Sequence, residues 1–188
     1  MAYQIRTATP ADAERLLSIY APFVTDTVVS FEFEVPSLDE FRRRIEATGK
    51  DFAYLVAEDA ESGDIAGYAY YSTLRSRPAY QWAAETSIYL NPAHQGRGLG
   101  STLLHKLEEL MAAQGIALAV ACITSENTVS IAFHERLDYR ICGTFDNCAF
   151  KLGRWLSVTW MEKQLLPCDA APQPRGPLSP KTIASILA

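Results

Sequence analysis

Residues 95–102 read Gln95-Gly-Arg-Gly-Leu-Gly-Ser-Thr102, and the fold turns on them. Gly96, Gly98 and Gly100 let backbone amides approach a ligand with no Cβ in the way. The segment runs into helical spacing, with Leu99, Leu103, Leu107 and Leu110 on one stripe and Gly115 as the stop. A helix N-terminus adds amides without intrahelical acceptors and the positive end of the helix dipole. Together these make a cradle for phosphate. A P-loop would need Gly-Lys-Ser/Thr, and no lysine precedes Ser101, which argues against a nucleotide-binding protein. A dinucleotide fingerprint would need glycine where Ser101 stands and would sit at the start of a βαβ unit.

Working outward, Trp82 to Leu90 reads as a strand stopped by Asn91-Pro92. Phe52 to Glu58 and Ile65 to Ser72 read as strands joined by the turn Glu61-Ser-Gly-Asp64. Residues 3–7 suggest a short strand. Thr9 with Pro10 then opens a helix with Leu16, Leu17, Ile19, Tyr20 and Phe23 on its apolar face. The capping box Ser37-Leu-Asp-Glu40 opens a second helix through Phe41 and Ile45 to Gly49, and Phe31 and Phe33 fall in the loop between. Past the cradle, Ile116 to Ile123 is a continuous apolar run, expected of a strand buried on both faces. Glu126 to Leu137 is helical, with Val129, Phe133 and Leu137 on one face, and Tyr139 to Cys148 and Trp155 to Leu165 read as closing strands. The fold class is mixed α/β (α+β), a central mixed sheet flanked by helices on both faces.

A chain of 188 residues is one domain, and 48% hydrophobic against 21% charged residues is an ordinary globular balance. A net charge of -5 argues against a dedicated nucleic-acid partner, since phosphate contacts need clustered Lys and Arg. The longest apolar stretch, Gly115 to Ile123, is too short for a membrane span, and Met1 to Arg6 has no apolar signal core. Cys122, Cys142, Cys148 and Cys168 lack metal-like pair spacing, so no metal is expected, and reduced thiols point to a cytoplasmic protein. Five prolines after residue 166 mark 167–188 as a tail outside the core, with a short helix from Thr182, and leave 1–166 as the domain.

Gln95-x-x-Gly98-x-Gly100 between a strand and a helix resembles the pyrophosphate loop of the GNAT acyl-CoA N-acyltransferases. Ser30-Phe31, Arg75-Ser-Arg77 to Tyr80, Trp82 to Leu90, Phe133-His-Glu-Arg-Leu137 and Lys151-Leu-Gly-Arg-Trp155 look like that superfamily's phosphinothricin and methionine-sulfoximine N-acetyltransferase branch. The resemblance spans residues 3–165. It implies the GNAT fold with a mostly antiparallel sheet, acetyl-CoA as acetyl donor, a small-molecule amine as acceptor, a homodimer, and resistance to an antibiotic or herbicide of amino-acid type. Asp138 stands where the branch usually has Gly, and Ser157 where it usually has Asp.

On this resemblance the backbone of Ile88, Tyr89 and Leu90 lines pantetheine and polarises the thioester. Gln95, Gly96, Arg97, Gly98, Leu99, Gly100, Ser101 and Thr102 form the pyrophosphate loop, their amides from 97 to 102 binding it. Asn127 reaches the pantetheine or pyrophosphate arm. Glu85 falls on the general-base position, where a carboxylate can take the proton an amine must lose before attack. His134 stands where a proton donor to the CoA thiolate is expected. Phe31, Arg75, Arg77, Tyr80 and Thr86 are assigned to the substrate, the arginines because a planar guanidinium holds carboxylate or phosphinate bidentately. The expected reaction is acetyl transfer to the α-amino group of a small amino acid or analogue. The alternatives are another amine, such as a protein N-terminus or an aminoglycoside, and a noncatalytic acyl-CoA-binding regulatory module. A covalent route through Cys122 is disfavoured, because its apolar neighbours raise a thiol pKa.

Overall fold

The computed structural model describes residues 3–188; Met1 and Ala2, the start of the expected 1–166 domain, lie outside the described residues. The chain runs β1 (Tyr3–Thr7), α1 (Ala13–Thr25), α2 (Leu38–Asp51), β2 (Tyr54–Asp59), β3 (Ile65–Thr73) and β4 (Ala83–Leu90). It continues through α3 (Leu99–Ala113), β5 (Leu118–Thr124), α4 (Thr128–Glu135), β6 (Arg140–Lys151), β7 (Arg154–Gln164) and α5 (Pro180–Leu187). The strands form one seven-stranded sheet in the order β1-β2-β3-β4-β5-β7-β6. Every neighbouring pair is antiparallel except β4–β5. That parallel pair needs a long crossover, which α3 supplies.

Local signals set the helix starts. Ser37 Oγ accepts the Glu40 amide at 3.2 Å as α2 opens. At Thr9 the chain first makes a 3₁₀ turn over Pro10–Asp12, and the Asp12 carboxylate accepts the Thr9 amide at 2.8 Å. Arg6 clamps Asp12, and this pairing holds the carboxyl down to about 2.

Helices cover both faces. On one, Leu103, Leu104, Leu107 and Leu110 of α3 are fully buried against Leu55, Ala69 and Ala119 of the sheet. Each such leucine contributes about 1.5–3 kcal/mol over leaving it exposed. Ile131 and Phe133 of α4 join this cluster. On the other face, Leu16, Ile19 and Tyr20 of α1 and Phe41 and Ile45 of α2 pack on Tyr54, Val56 and Tyr68.

Four expectations are corrected. The segment 167–188 is not outside the core: Leu178, Ile183, Ile186 and Leu187 pack against the α3 cluster. Trp82 Nε1 donates to the Gln173 carbonyl at 2.8 Å, and Arg175 lies 4.5 Å over the Phe52 ring. Strand β5 is not continuously buried: Ala119 to Ala121 and Ile123 to Thr124 are buried on both faces, but Cys122 is exposed. Val129 is 78% exposed, and the buried stripe of the following helix runs instead through His134 and Leu137. The second helix passes Gly49 and ends at Asp51. Asp138 does take the left-handed backbone that a helix end favours, at φ +66°. Ser157 accepts the Asn147 amide at 3.1 Å, supporting the irregular stretch of β6. No helix among the described residues is long and apolar enough to cross a membrane.

Candidate active site

The site begins where two strands part. The β4–β5 ladder covers only Ala83–Glu85 against Leu118–Val120. Thr86 Oγ1 donates to the Val120 carbonyl at 3.1 Å, at the point where the ladder stops. Beyond it, residues 86–90 have no partner strand on that edge among the described residues, while β3 still pairs along the other. A cavity of about 460 Å³ opens in the fork, within the usual range for a small-ligand pocket. Its walls are β4 from Glu85 to Tyr89, β5 from Ala121 to Thr124, Asn127 to His134 of the α4 region, and Val29 to Glu32 of the α1–α2 loop.

Glu85 stands in this wall, and its carboxylate has no hydrogen bond or ion pair among the described residues. Burial pushes its carboxyl above the ordinary carboxylate range, and the charge of Arg75 opposes only part of that shift. His134 is 3% exposed. Its Nδ1 lies 2.8 Å from the Ser130 carbonyl, which can only accept, so Nδ1 carries the proton and Nε2 is bare. Burial pushes its pKa down, the Ser130 hydrogen bond and Glu108 opposing, and keeps it neutral near pH 7. That state does not favour the proton-donor role expected from sequence. Asn127 caps α4, accepting the Ser130 amide at 3.1 Å on Oδ1, which leaves its amide hydrogens for a ligand.

At the head of α3, Gln95 to Gly98 form an exposed turn. Gly96 and Gly98 take φ of +73° and +77°, the left-handed region that favours glycine, and a Cβ on either would meet nothing. The first-turn amides of α3 have no intrahelical carbonyl. Thr102 is already past that turn, its amide taken by Gly98 at 3.1 Å, so it is not among the donors. Gly100 has a different reason to be small. A Cβ there would lie 3.3 Å from both Leu90 and Phe133, so it sets how closely α3 approaches β4 and α4. Gly100→Val is therefore expected to cost about 1–3 kcal/mol of stability, at roughly 2–4 °C of Tm per kcal/mol, measured by thermal unfolding.

An open strand edge and an amide-bearing helix start fit a long phosphorylated thioester. The acetyltransferase (GNAT) domain family matches residues 5–160. The chain belongs to the GNAT acetyltransferases. It is 35% identical over 164 residues to a phosphinothricin N-acetyltransferase of Streptomyces coelicolor, covering 86% of this chain and 96% of the relative. It is equally 35% identical over 173 residues to an L-methionine sulfoximine/L-methionine sulfone acetyltransferase of Pseudomonas paraeruginosa, covering 92% and 100%. A crystal structure of a GNAT superfamily phosphinothricin acetyltransferase from Sinorhizobium meliloti in complex with AcCoA superposes with a TM-score of 0.87 at 34% identity. That match covers 92% of this chain and 94% of the other. The enzyme is an N-acetyltransferase with acetyl-CoA as its acetyl donor.

Within this GNAT enzyme the expected substrate residues separate. Phe31 lines the cavity, 38% exposed. Thr86 lines it too, with its hydroxyl hydrogen committed to the fork. Arg75 lines a smaller cleft rather than this cavity and lies 5.9 Å over the Trp160 ring, yet its charge acts on Glu85. Arg77 does not line the cavity; it shares a smaller cleft with Arg75, Phe52 and Arg175. Tyr80 is exposed on the short turn before β4, also outside the cavity. Cys122 does line it, but surrounding protein, then the Glu85 carboxylate, push its thiol up to about 12, which disarms it as a nucleophile. Sequence reading missed Glu32, which lines the cavity and pairs with Arg44 at 2.6 Å. It adjoins the Ser30-Phe31 pair, so position in that loop was the signal available.

Proposed function

We propose that this enzyme acetylates the α-amino group of a small amino acid or analogue of the phosphinothricin, methionine sulfoximine or methionine sulfone type, by direct attack with Glu85 as general base. One observation carries the reading: a partly desolvated carboxylate, unpaired among the described residues, in the wall of the strand-fork cavity. Acetyl-CoA supplies a thioester carbonyl for attack by a neutral amine; the amide C–N bond forms as the C–S bond breaks, and CoA leaves as the thiolate. The first-turn amides of α3 and the Gly96–Gly98 turn would hold its pyrophosphate. The open edge of residues 86–90 would align its pantetheine arm. Glu85 takes the ammonium proton, and its raised pKa brings it nearer the working pH than an ordinary carboxylate. Glu32 adds a second negative wall to the acceptor end, which suits an approaching ammonium. His134, neutral, presents Nε2 to the cavity side as a hydrogen-bond acceptor without a proton to give there.

Acetyl-CoA-dependent thiol release, screened over methionine sulfoximine, methionine sulfone, phosphinothricin and unmodified amino acids, tests the reading. An aminoglycoside and a peptide N-terminus cover the other amines. Turnover of one of these but no amino-acid analogue would refute the substrate class. Binding of acetyl-CoA without turnover of any amine would point to a regulatory module.

Arg75 is assigned to the substrate's acidic group. Arg75→Ala is expected to raise the amino-acid KM by about one to two decades, the loss of a charge-assisted contact of about 1.5–3 kcal/mol. It also removes the charge that holds Glu85 down, so the acidic limb of the rate profile moves to higher pH. Acetyl-CoA KM stays put. Unchanged KM and an unmoved limb would return Arg75 to the surface.

The enzyme is further read as a cytoplasmic homodimer. All four cysteines are free. Ile141, Phe150 and Trp155 are exposed and share one sheet face of β6 and β7 by their register, an apolar surface suited to a second copy. Sedimentation of wild type beside Trp155→Glu checks the dimer.

A further inference from the structure

Lys151 ends β6 at 4% exposure. Leu152 and Gly153 follow at φ +50° and +76°, the backbone of a two-residue hairpin turn whose twist suits the flanking strands. The pairing of Lys151 with Arg154, and of Ala149 with Leu156, puts Lys151 on the sheet face of Leu156 and Val158. Its Nζ donates to the Ser30 carbonyl at 2.5 Å, and no carboxylate among the described residues pairs with it. Glu32, engaged by Arg44, is its acidic neighbour. Burying an ammonium without an ion pair is costly. This charge is spent on one peptide carbonyl, and that carbonyl belongs to the loop walling the acceptor end of the cavity.

Other elements tie the same loop. Thr124 Oγ1 of β5 donates to the Val28 carbonyl at 2.6 Å. The Tyr20 hydroxyl of α1 meets Ser30 Oγ at 2.7 Å, and Ser30 Oγ accepts the Glu32 amide at 3.2 Å. Ser30 is itself 5% exposed, so its carbonyl has little water to turn to. We propose that Lys151 is a positioning residue that holds the Val28–Glu32 loop against the amine-binding end of the cavity, so that the β6–β7 hairpin sets the shape of the substrate wall. This rests on reading that end of the cavity as the acceptor site.

The test compares wild type with Lys151→Met, which keeps the stem and removes the charge. Hydrogen exchange of the Val28–Glu32 amides should quicken by roughly tenfold or more, with the β4 amides unchanged. The amine KM should rise by about tenfold or more and acetyl-CoA KM stay constant. A purely structural lysine would instead loosen β6 and β7 with the loop, lower the active fraction, and leave both KM values alone. Loop exchange equal to wild type overturns the proposal, as does a loosened loop with unchanged amine KM. If wild type turns over no amine, the reading of the cavity fails on its own, and the exchange experiment still decides the anchor. Should Lys151→Met not fold, Lys151→Gln carries the same measurements.

Discussion

Glu85→Gln is expected to lower turnover near neutral pH by about 10²-fold or more, with acetyl-CoA affinity nearly unchanged. The substitution keeps the side chain's shape in the β4 wall and removes the proton acceptor. Because burial holds the carboxyl protonated to a higher pH than usual, wild-type activity rises as pH climbs through that raised pKa. The mutant lacks this limb. Wild type and mutant therefore converge at acid pH, where Glu85 is protonated, and part company as pH rises. Steady-state rates across the pH range, with calorimetry for acetyl-CoA, read both parts. A mutant with a wild-type rate and the same acidic limb would remove Glu85 from the chemistry.

Gly98→Val should weaken acetyl-CoA binding by about two decades or more, the loss of one or two charge-assisted hydrogen bonds of about 1.5–3 kcal/mol each. The cause is conformational. A Cβ at residue 98 would meet no protein atom, but the position sits at φ +77°, which a β-branched residue resists. To relieve that strain the turn must rotate, and the amides at the head of α3 stop converging. Gly98→Asn separates this from bulk, because Asn tolerates the left-handed region and should lose less. Binding equal to wild type in a folded Gly98→Val protein would mean the pyrophosphate is held elsewhere. Stability discriminates between neighbouring glycines: the residue 98 change strains an exposed turn, whereas the residue 100 change drives a side chain into Leu90 and Phe133.

The two glycines show what could be read beforehand. Left-handed turns, the Ser37 cap, the Glu61–Asp64 hairpin and the stripe of leucines in α3 are short-range devices, each written within a few residues. Their order along the chain was enough to derive a mixed sheet with helices on both faces. Family resemblance assigned expected roles to Glu85 and the phosphate loop, and sequence by itself went that far. The fork was not legible, because it depends on β4 and β5 ceasing to pair after Val120, a relation between distant segments that leaves no local pattern. Burial of individual side chains is likewise set by what arrives from elsewhere. Cys122 in an apolar run is exposed because it lines the cavity, and His134 is buried with Phe133 and Tyr139 edge-on to its ring. A proline-rich segment docks because Leu178, Ile183, Ile186 and Leu187 find the α3 cluster. Lys151 looks like a surface residue in the sequence, and only the fold encloses its charge against the Ser30 carbonyl. Composition and spacing select the elements through local conformational energy; tertiary packing decides which groups lose water, and with that which carboxylate, imidazole and ammonium are left to act.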